Sequence, residues 1–266
     1  MFQQPALQPD EIPSLAQVDG QVVNLATYDD LLRQVRQRGL SGRGFSLFTL
    51  NLDHLVKRRA NPSFRAAYDR ATFVTADGAP VVALARRQGA SITRTTGSDM
   101  IGPLCAMAAR ENLPLFFFGS SLPLLERAKA ELTRLHPGLE VAGMEAPPFG
   151  FDPVSPAADA AADRIAASGA SFCLVALGAP KQELFADRML ARHPQLGFFC
   201  IGASLDFVAG GQTRAPLWMQ KAQLEWAWRM LSDPRRMLVR YLRCATLLLE
   251  LKLQPRSATS PRPGAS

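Results

Sequence analysis

Asn51, Asp77, Ser120, Gln182 and Asp206 share one local context: each comes just after a short apolar run and beside a segment with helical spacing. The runs are Ser46 to Asn51 (SLFTLN), Thr72 to Gly78 (TFVTADG), Leu115 to Ser120 (LFFFGS), Leu174 to Glu183 (LVALGAPKQE) and Phe198 to Gly202 (FFCIG). An apolar run that breaks at Gly or Pro and opens into a polar helix start is the pattern of a strand buried on both faces of a parallel sheet. Such strands deliver side chains to one edge of the sheet. Five loops that each bring a polar group there build one site, and its purpose is chemistry.

The Thr75-Ala76-Asp77-Gly78 turn sets a carboxylate beside a glycine that lets another molecule approach the backbone. A helix cap and a general base are both open for Asp77. Thr96-Gly97-Ser98-Asp99 reads as a helix start, capped by Ser98 or Asp99, whose free N–H groups and dipole suit a phosphate. Gly119-Ser120-Ser121 resembles a nucleotide-binding turn but lacks the later glycines of GxGxxG. There is no Asp-x-Asp pair to hold a divalent ion, so a bound diphosphate would be neutralised by protein donors and no metal site is expected. Cys105, Cys173, Cys200 and Cys244 lie far apart in apolar surroundings and read as reduced packing residues. His136 and His193 precede proline at helix ends, and His54 is a weak candidate base near the Asn51 turn.

The elements that must position these groups alternate. Strands are expected at about 45–50, 72–76, 114–118, 139–144, 171–177 and 197–201, with helices at about 53–59, 62–70, 79–88, 98–111, 122–135, 157–168 and 181–192. Before them, Val18 to Leu25 reads as a small hairpin around Asp19-Gly20, and Thr27 caps a helix whose apolar face holds Leu31, Leu32 and Val35. The fold class is α/β: a Rossmann-like, mainly parallel sheet with flanking helices. Residues 1–14 read as a flexible arm, 15–212 as the α/β core, 213–253 as a basic helical appendage and 254–266 as a disordered tail.

The net charge of +7 is concentrated. From Thr213 onward there are ten basic and three acidic residues, so the preceding chain is neutral. After Pro234, Met237, Leu238, Tyr241 and Leu242 are expected to form one apolar face, with Arg236, Arg240 and Arg243 on an adjoining one. A solvated helix face, a nucleic-acid surface, and a surface for anionic lipid or a diphosphate all fit that pattern. Trp218, Trp226 and Trp228 fall in the same stretch and suit a membrane interface or a packed core. No apolar stretch reaches the roughly 18 residues that span a bilayer, and no signal peptide is evident, so a cytoplasmic location is expected.

Seven motifs in order carry a family resemblance over roughly residues 18–243: TLNLDH from Thr49, ADGAP from Ala76, RTTGSD from Arg94, FFFGS from Phe116, GAPKQE from Gly178, GASLDFVAGGQTRAP from Gly202 and LEWAWRMLSDPRRMLVRYL from Leu224. The chain resembles the WecG/TagA/CpsF glycosyltransferases, and departs from their pattern only in detail, with Ala79 at a usually bulkier position and Asp233 in place of Glu. The resemblance implies a metal-independent, inverting hexosyltransferase with no cofactor. It would move N-acetylmannosamine, its uronate or glucose from a UDP-sugar to an undecaprenyl-diphosphate-linked sugar in cell-surface or exopolysaccharide synthesis. Asp77 would be the general base and Thr49 a second catalytic residue. Asn51, Arg94, Gly97, Ser98, Asp99, Gly119, Ser120, Gln182, Glu183, Asp206 and Arg214 would line the substrate site, while Arg229, Arg235, Arg236 and Arg240 would meet the diphosphate of the acceptor. The enzyme would sit peripherally on the inner face of the membrane, against anionic lipid and away from nucleic acid; homo-oligomerisation is left open. Two other classes compete. A different nucleotide-sugar enzyme should show GxGxxG and Tyr-x-x-x-Lys, which are absent, and a membrane-surface binder would leave the polar strand ends without a use.

Overall fold

A computed structural model describes residues 14–211, 215–216, 219, 227–228 and 234–254, with the backbone alone for 234–236. The chain opens with β1 (Ala16–Val18) and β2 (Gln21–Val23), an antiparallel hairpin that begins two residues earlier than expected. Asp19 and Gly20 both have positive φ, 53° and 74°, as a two-residue turn matched to strand twist requires.

The main sheet contains β3 (Phe45–Leu50), β4 (Phe73–Ala76), β5 (Leu115–Gly119), β6 (Val141–Glu145), β7 (Phe172–Ala176) and β8 (Gly197–Cys200). Their order is β4-β3-β8-β7-β5-β6, and every pairing is parallel. Around it lie α1 (Tyr28–Leu40), α2 (Leu52–Ala60), α3 (Pro62–Arg70), α4 (Ala79–Arg86), α5 (Gly97–Glu111), α6 (Leu122–Leu135), α7 (Pro156–Ala167), α8 (Lys181–Arg192), α9 (Ser204–Val208) and α10 (Pro234–Leu253). Strand side chains alternate between two cores. Phe48 and Leu50 of β3 pack with residues of α2, α3, α4, α7, α8 and α10, whereas Phe45 and Leu47 pack with those of α1, α5, α6 and α9. Both faces are covered, which is why the strands read as unbroken apolar runs.

This division of helices also opens the carboxyl edge. The chain leaves β3, β4 and β7 toward one face, through α2, α4 and α8, and leaves β5 and β8 toward the other, through α6 and α9. Neighbouring strands β3 and β8, and β7 and β5, therefore send their loops apart, the topological condition for a ligand crevice.

The C-terminal helix α10 buries Met237, Cys244, Leu247 and Leu251, and the last two join the core that includes α2 and α4. Its docking is reinforced by Arg59, which pairs with both Asp19 (2.7 Å) and Glu250 (2.8 Å), and by Arg87, which donates to the Lys252 carbonyl at 3.2 Å. The single apolar face expected from sequence divides in two. Met237 turns inward, while Leu238 and Leu242 stay more than half exposed at 52% and 59% and, with Val239, Leu249 and Leu253, form an outward apolar stripe. The helix is apolar on two sides, and spacing alone could not say which side meets the core.

Leu247 and Leu249 separate these roles. Leu247→Ala should lower stability by about 2 to 5 kcal/mol, the range for a buried Leu truncation. Leu249→Ala, on the exposed stripe, should stay within about 0.5 kcal/mol. Urea unfolding of the two variants checks this, and equal losses would contradict the docked orientation of α10.

Candidate active site

Asn51 follows β3 and caps α2: its Oδ1 accepts from His54 N at 3.0 Å. The other end of the amide donates from Nδ2 to Asp77 Oδ2 at 3.4 Å. Asp77 follows β4, and its backbone N–H donates to Leu50 O at 2.8 Å, so β3 and β4 carry their ladder into the turn. The N-cap of α4 is Gly78, not Asp77, and no side-chain hydrogen bond caps that helix. Asp77 thus occupies a half-buried position at the carboxyl edge with its carboxylate oriented by Asn51. Thr49, two residues before Asn51 on β3, is buried, and its carbonyl accepts from Tyr68 Oη at 3.4 Å.

A second pair spans the sheet. Ser120, after β5, donates from Oγ to Asp206 Oδ1 on α9 at 2.5 Å. Gly119 makes this turn with φ +115°, and a Cβ there would stand 2.4 Å from the Ala176 carbonyl of neighbouring β7, so only glycine fits. Ser120 itself is left-handed, at φ +53°. Both Ser120 and Asp206 are half-buried.

Gln182 and Glu183, in the first turn of α8, lie beneath this surface at 3% and 0% exposure. The Gln182 amide donates from Nε2 to Glu183 Oε1 (2.8 Å) and accepts at Oε1 from the Gly202 backbone N–H (2.9 Å). Burial pushes the Glu183 carboxyl up to about 7, although the Gln182 hydrogen bond opposes it. His54 is also buried. Its Nδ1 lies 2.6 Å from Tyr68 Oη, and burial drives it down to about 3, with Lys57 adding to the effect, so the ring is neutral at physiological pH. A buried imidazole engaged with Tyr68 corrects the idea of His54 as a base near the open site.

The N-terminus of α5 completes the edge. Its cap is Thr96, whose hydroxyl accepts from Asp99 N at 3.1 Å, and not Ser98 or Asp99 as the sequence suggested. Gly97 backs onto β8, where a Cβ would stand 3.0 Å from Ile201 O. Ser98 Oγ lies 3.2 Å from Thr96 Oγ1, and Arg94 pairs with Asp99 at 3.6 Å. Arg240 of α10 pairs with Asp53 at 3.1 Å, so the described structure matches its charge within the protein. Arg214 and Arg229, and the side chains of Arg235 and Arg236, lie outside the described residues, as do Trp218 and Trp226.

Asp53, inside the TLNLDH motif but assigned no role there, and Lys57, just beyond it, tie the edge together. Lys57 pairs with Asp53 at 2.7 Å and donates to the Ala179 carbonyl at 3.0 Å, linking α2 to the loop after β7. Burial opposes ionisation of Asp53, but the Lys57 hydrogen bond and Arg240 hold it below the usual carboxylate range. The Asp53/Lys57 spacing of four on one helix was the available signal. All four cysteines are free and buried. A cleft between α3 and α8, lined by Arg70, Asp187 and Arg188, shares none of the strand-end residues.

Glu183 gives this site a pH signature. Its folded pKa is raised from 4.5 to about 7, so its contribution to stability is complete below about 4.5 and is lost as pH rises through about 7. His54 is depressed and acts oppositely, losing stability as pH falls below 6.5 toward 3. Comparing Glu183→Gln with wild type isolates the carboxyl. The variant's Tm relative to wild type should be higher at pH 8 than at pH 5 by roughly 3 to 8 °C, and thermal melts showing no such difference would refute the buried carboxyl.

A family model described as the glycosyl transferase WecG/TagA/CpsF family matches residues 16–259. The match covers both the sheet and α10, and thereby every strand-end group described above. The chain belongs to the WecG/TagA/CpsF family of glycosyl transferases, enzymes of cell-surface polysaccharide synthesis.

Proposed function

We propose that the strand-end cluster binds a UDP-sugar and that Asp77 activates the hydroxyl of an undecaprenyl-diphosphate-linked sugar to receive the hexose. The observation that carries this reading is a half-buried carboxylate at the carboxyl edge, oriented by Asn51, outside the cap position of its helix and followed by a glycine turn. Asp77 takes the acceptor proton as the acceptor oxygen forms its bond to the anomeric carbon. The bond from that carbon to the UDP oxygen breaks on the opposite face, inverting the configuration, and UDP departs with the bonding electrons. Ser120 and Asp206 line the donor site with Asn51 and Thr49. Arg94 and the α5 N-terminus, Gly97 to Asp99, face the donor diphosphate with N–H groups and a positive dipole end. Protein donors neutralise the phosphates in place of a divalent ion. Arg214 lines the substrate site, and Arg229, Arg235 and Arg236 supply guanidinium groups on the acceptor side.

The transferred hexose is N-acetylmannosamine, its uronate or glucose, and the acceptor is presented at the inner face of the membrane. The outward stripe of α10, Leu238, Leu242, Leu249 and Leu253 with Arg243 exposed beside it, supports a peripheral attachment to anionic lipid. No helix among the described residues is long and apolar enough to cross a membrane.

UDP release from a panel of UDP-sugars with a lipid-diphosphate-linked acceptor, run in EDTA, tests the chemistry. Asp77→Asn should keep UDP-sugar binding while lowering turnover by roughly two to four orders of magnitude. Near wild-type turnover in that variant would remove Asp77 as the base. For the membrane surface, Leu242→Asp with Leu249→Asp should reduce co-sedimentation with anionic vesicles by about tenfold or more without altering Tm, each buried leucine being worth about 1.5 to 3 kcal/mol. Unchanged pelleting would place attachment elsewhere.

A further inference from the structure

Among the described residues, Glu183 is the one fully buried carboxylate in the neighbourhood of the site. Its Oε1 accepts the Gln182 amide, and its Oε2 has no hydrogen-bond partner among the described residues. Such a group costs several kcal/mol to bury ionised, so an apolar residue would serve packing better. What the carboxyl does supply is an acceptor. The Gly202 N–H can only donate, so it takes the Gln182 oxygen and turns the Gln182 NH₂ toward Glu183, whose Oε1 accepts from it whether or not Oε2 carries a proton.

Gly202 is the turn between β8 and α9, and it leads directly into the residues that face Ser120 and α5. Ser204 starts α9, its hydroxyl bonded back to the Ile201 carbonyl at 2.5 Å, and Asp206 on the same short helix accepts from Ser120 across the sheet. On the other flank, Gly97 of α5 rests on Ile201 and Ser204. A five-residue helix has little stability of its own, so its place depends on such tethers. From α2 and α3, His54 and Tyr68 close the same pocket: His54 Nδ1 lies 4.0 Å from Glu183 Oε1, and the hydroxyl of Tyr68 is shared between His54 and the carbonyl of Thr49. The network joins the ends of β3, β7 and β8.

We propose that Glu183 is a positioning residue: it fixes the orientation of the Gln182 amide, and through the hydrogen bond from Gly202 it holds the β8–α9 turn so that Asp206 meets Ser120. Glu183 touches no substrate. Its catalytic consequence rests on the donor-site reading above, but its effect on the Gly202 turn does not.

The test is amide hydrogen exchange of the full-length protein, read on peptides covering 200–206 with 186–192 of α8 as reference, together with UDP release. Glu183→Leu leaves the Gln182 NH₂ without its acceptor. It should accelerate exchange of 200–206 by about tenfold or more, leave 186–192 within about twofold, and lower turnover by about tenfold or more. Glu183→Gln, whose carbonyl can still accept, should restore exchange and turnover to within about threefold of wild type. If Glu183→Leu does not fold, Gln182→Met, which lacks donor and acceptor, should give the same local acceleration. Wild-type exchange at 200–206 in Glu183→Leu or Gln182→Met would overturn the proposal, as would uniform acceleration in both segments or a Glu183→Gln variant no better than Glu183→Leu. A wild-type protein that transfers no sugar would defeat the functional reading alone, since exchange still decides the role of Glu183.

Discussion

In a parallel sheet covered by helices on both faces, the strand interiors have no water to face, so polar side chains collect where the strands stop. That constraint organises this protein. Every residue of β3, β4, β5, β7 and β8 is buried, and the groups with chemical potential stand one to six residues beyond their carboxyl ends. Because the loops of β3 and β8, and of β7 and β5, depart to opposite faces, the edge stays open there instead of being roofed by its own helices. Catalysis by a glycosyl transferase asks for a base, a donor cradle and an acceptor side at fixed separation, and one sheet edge provides the fixed frame.

The edge is stiffened from below and latched from the side. Below it, Gln182, Glu183, His54 and Tyr68 form a polar layer whose bonds cross from one strand end to the next. At the side, Asp53 receives both Lys57 and Arg240, so α10 is tied to the helix that Asn51 caps. The same Asn51 reaches Asp77, which places the C-terminal helix two side chains away from the carboxylate. An exposed apolar stripe on that helix thus sits on an element mechanically joined to the site.

The strands were legible because a doubly buried strand must be a continuous apolar run, and each expected strand lies within two residues of the observed one. β6 strayed most at its start, 141 against 139; it is an edge strand only half-buried throughout, so its apolar signal fades. Sequence does not single out the cap of α5, because Thr96, Ser98 and Asp99 are all good caps; close packing of Gly97 on Ile201, a tertiary fact, goes with Thr96. The strand-end residues could be named from sequence, but not their partners. Ser120 with Asp206 and Arg240 with Asp53 are separated by long stretches of chain, and nothing local announces them. Burial of Glu183 was equally silent, since Lys181-Gln182-Glu183 reads as an ordinary polar helix start.

Backbone amide chemical shifts during titration with UDP would test most directly that this edge is a nucleotide-sugar site. Saturable perturbations are expected at Asn51, Asp77, Gly97 to Asp99, Ser120 and Gly202 to Asp206, with the α3–α8 cleft around Arg70 and Arg188 unaffected. Perturbations centred on that cleft, or none at millimolar UDP, would contradict it.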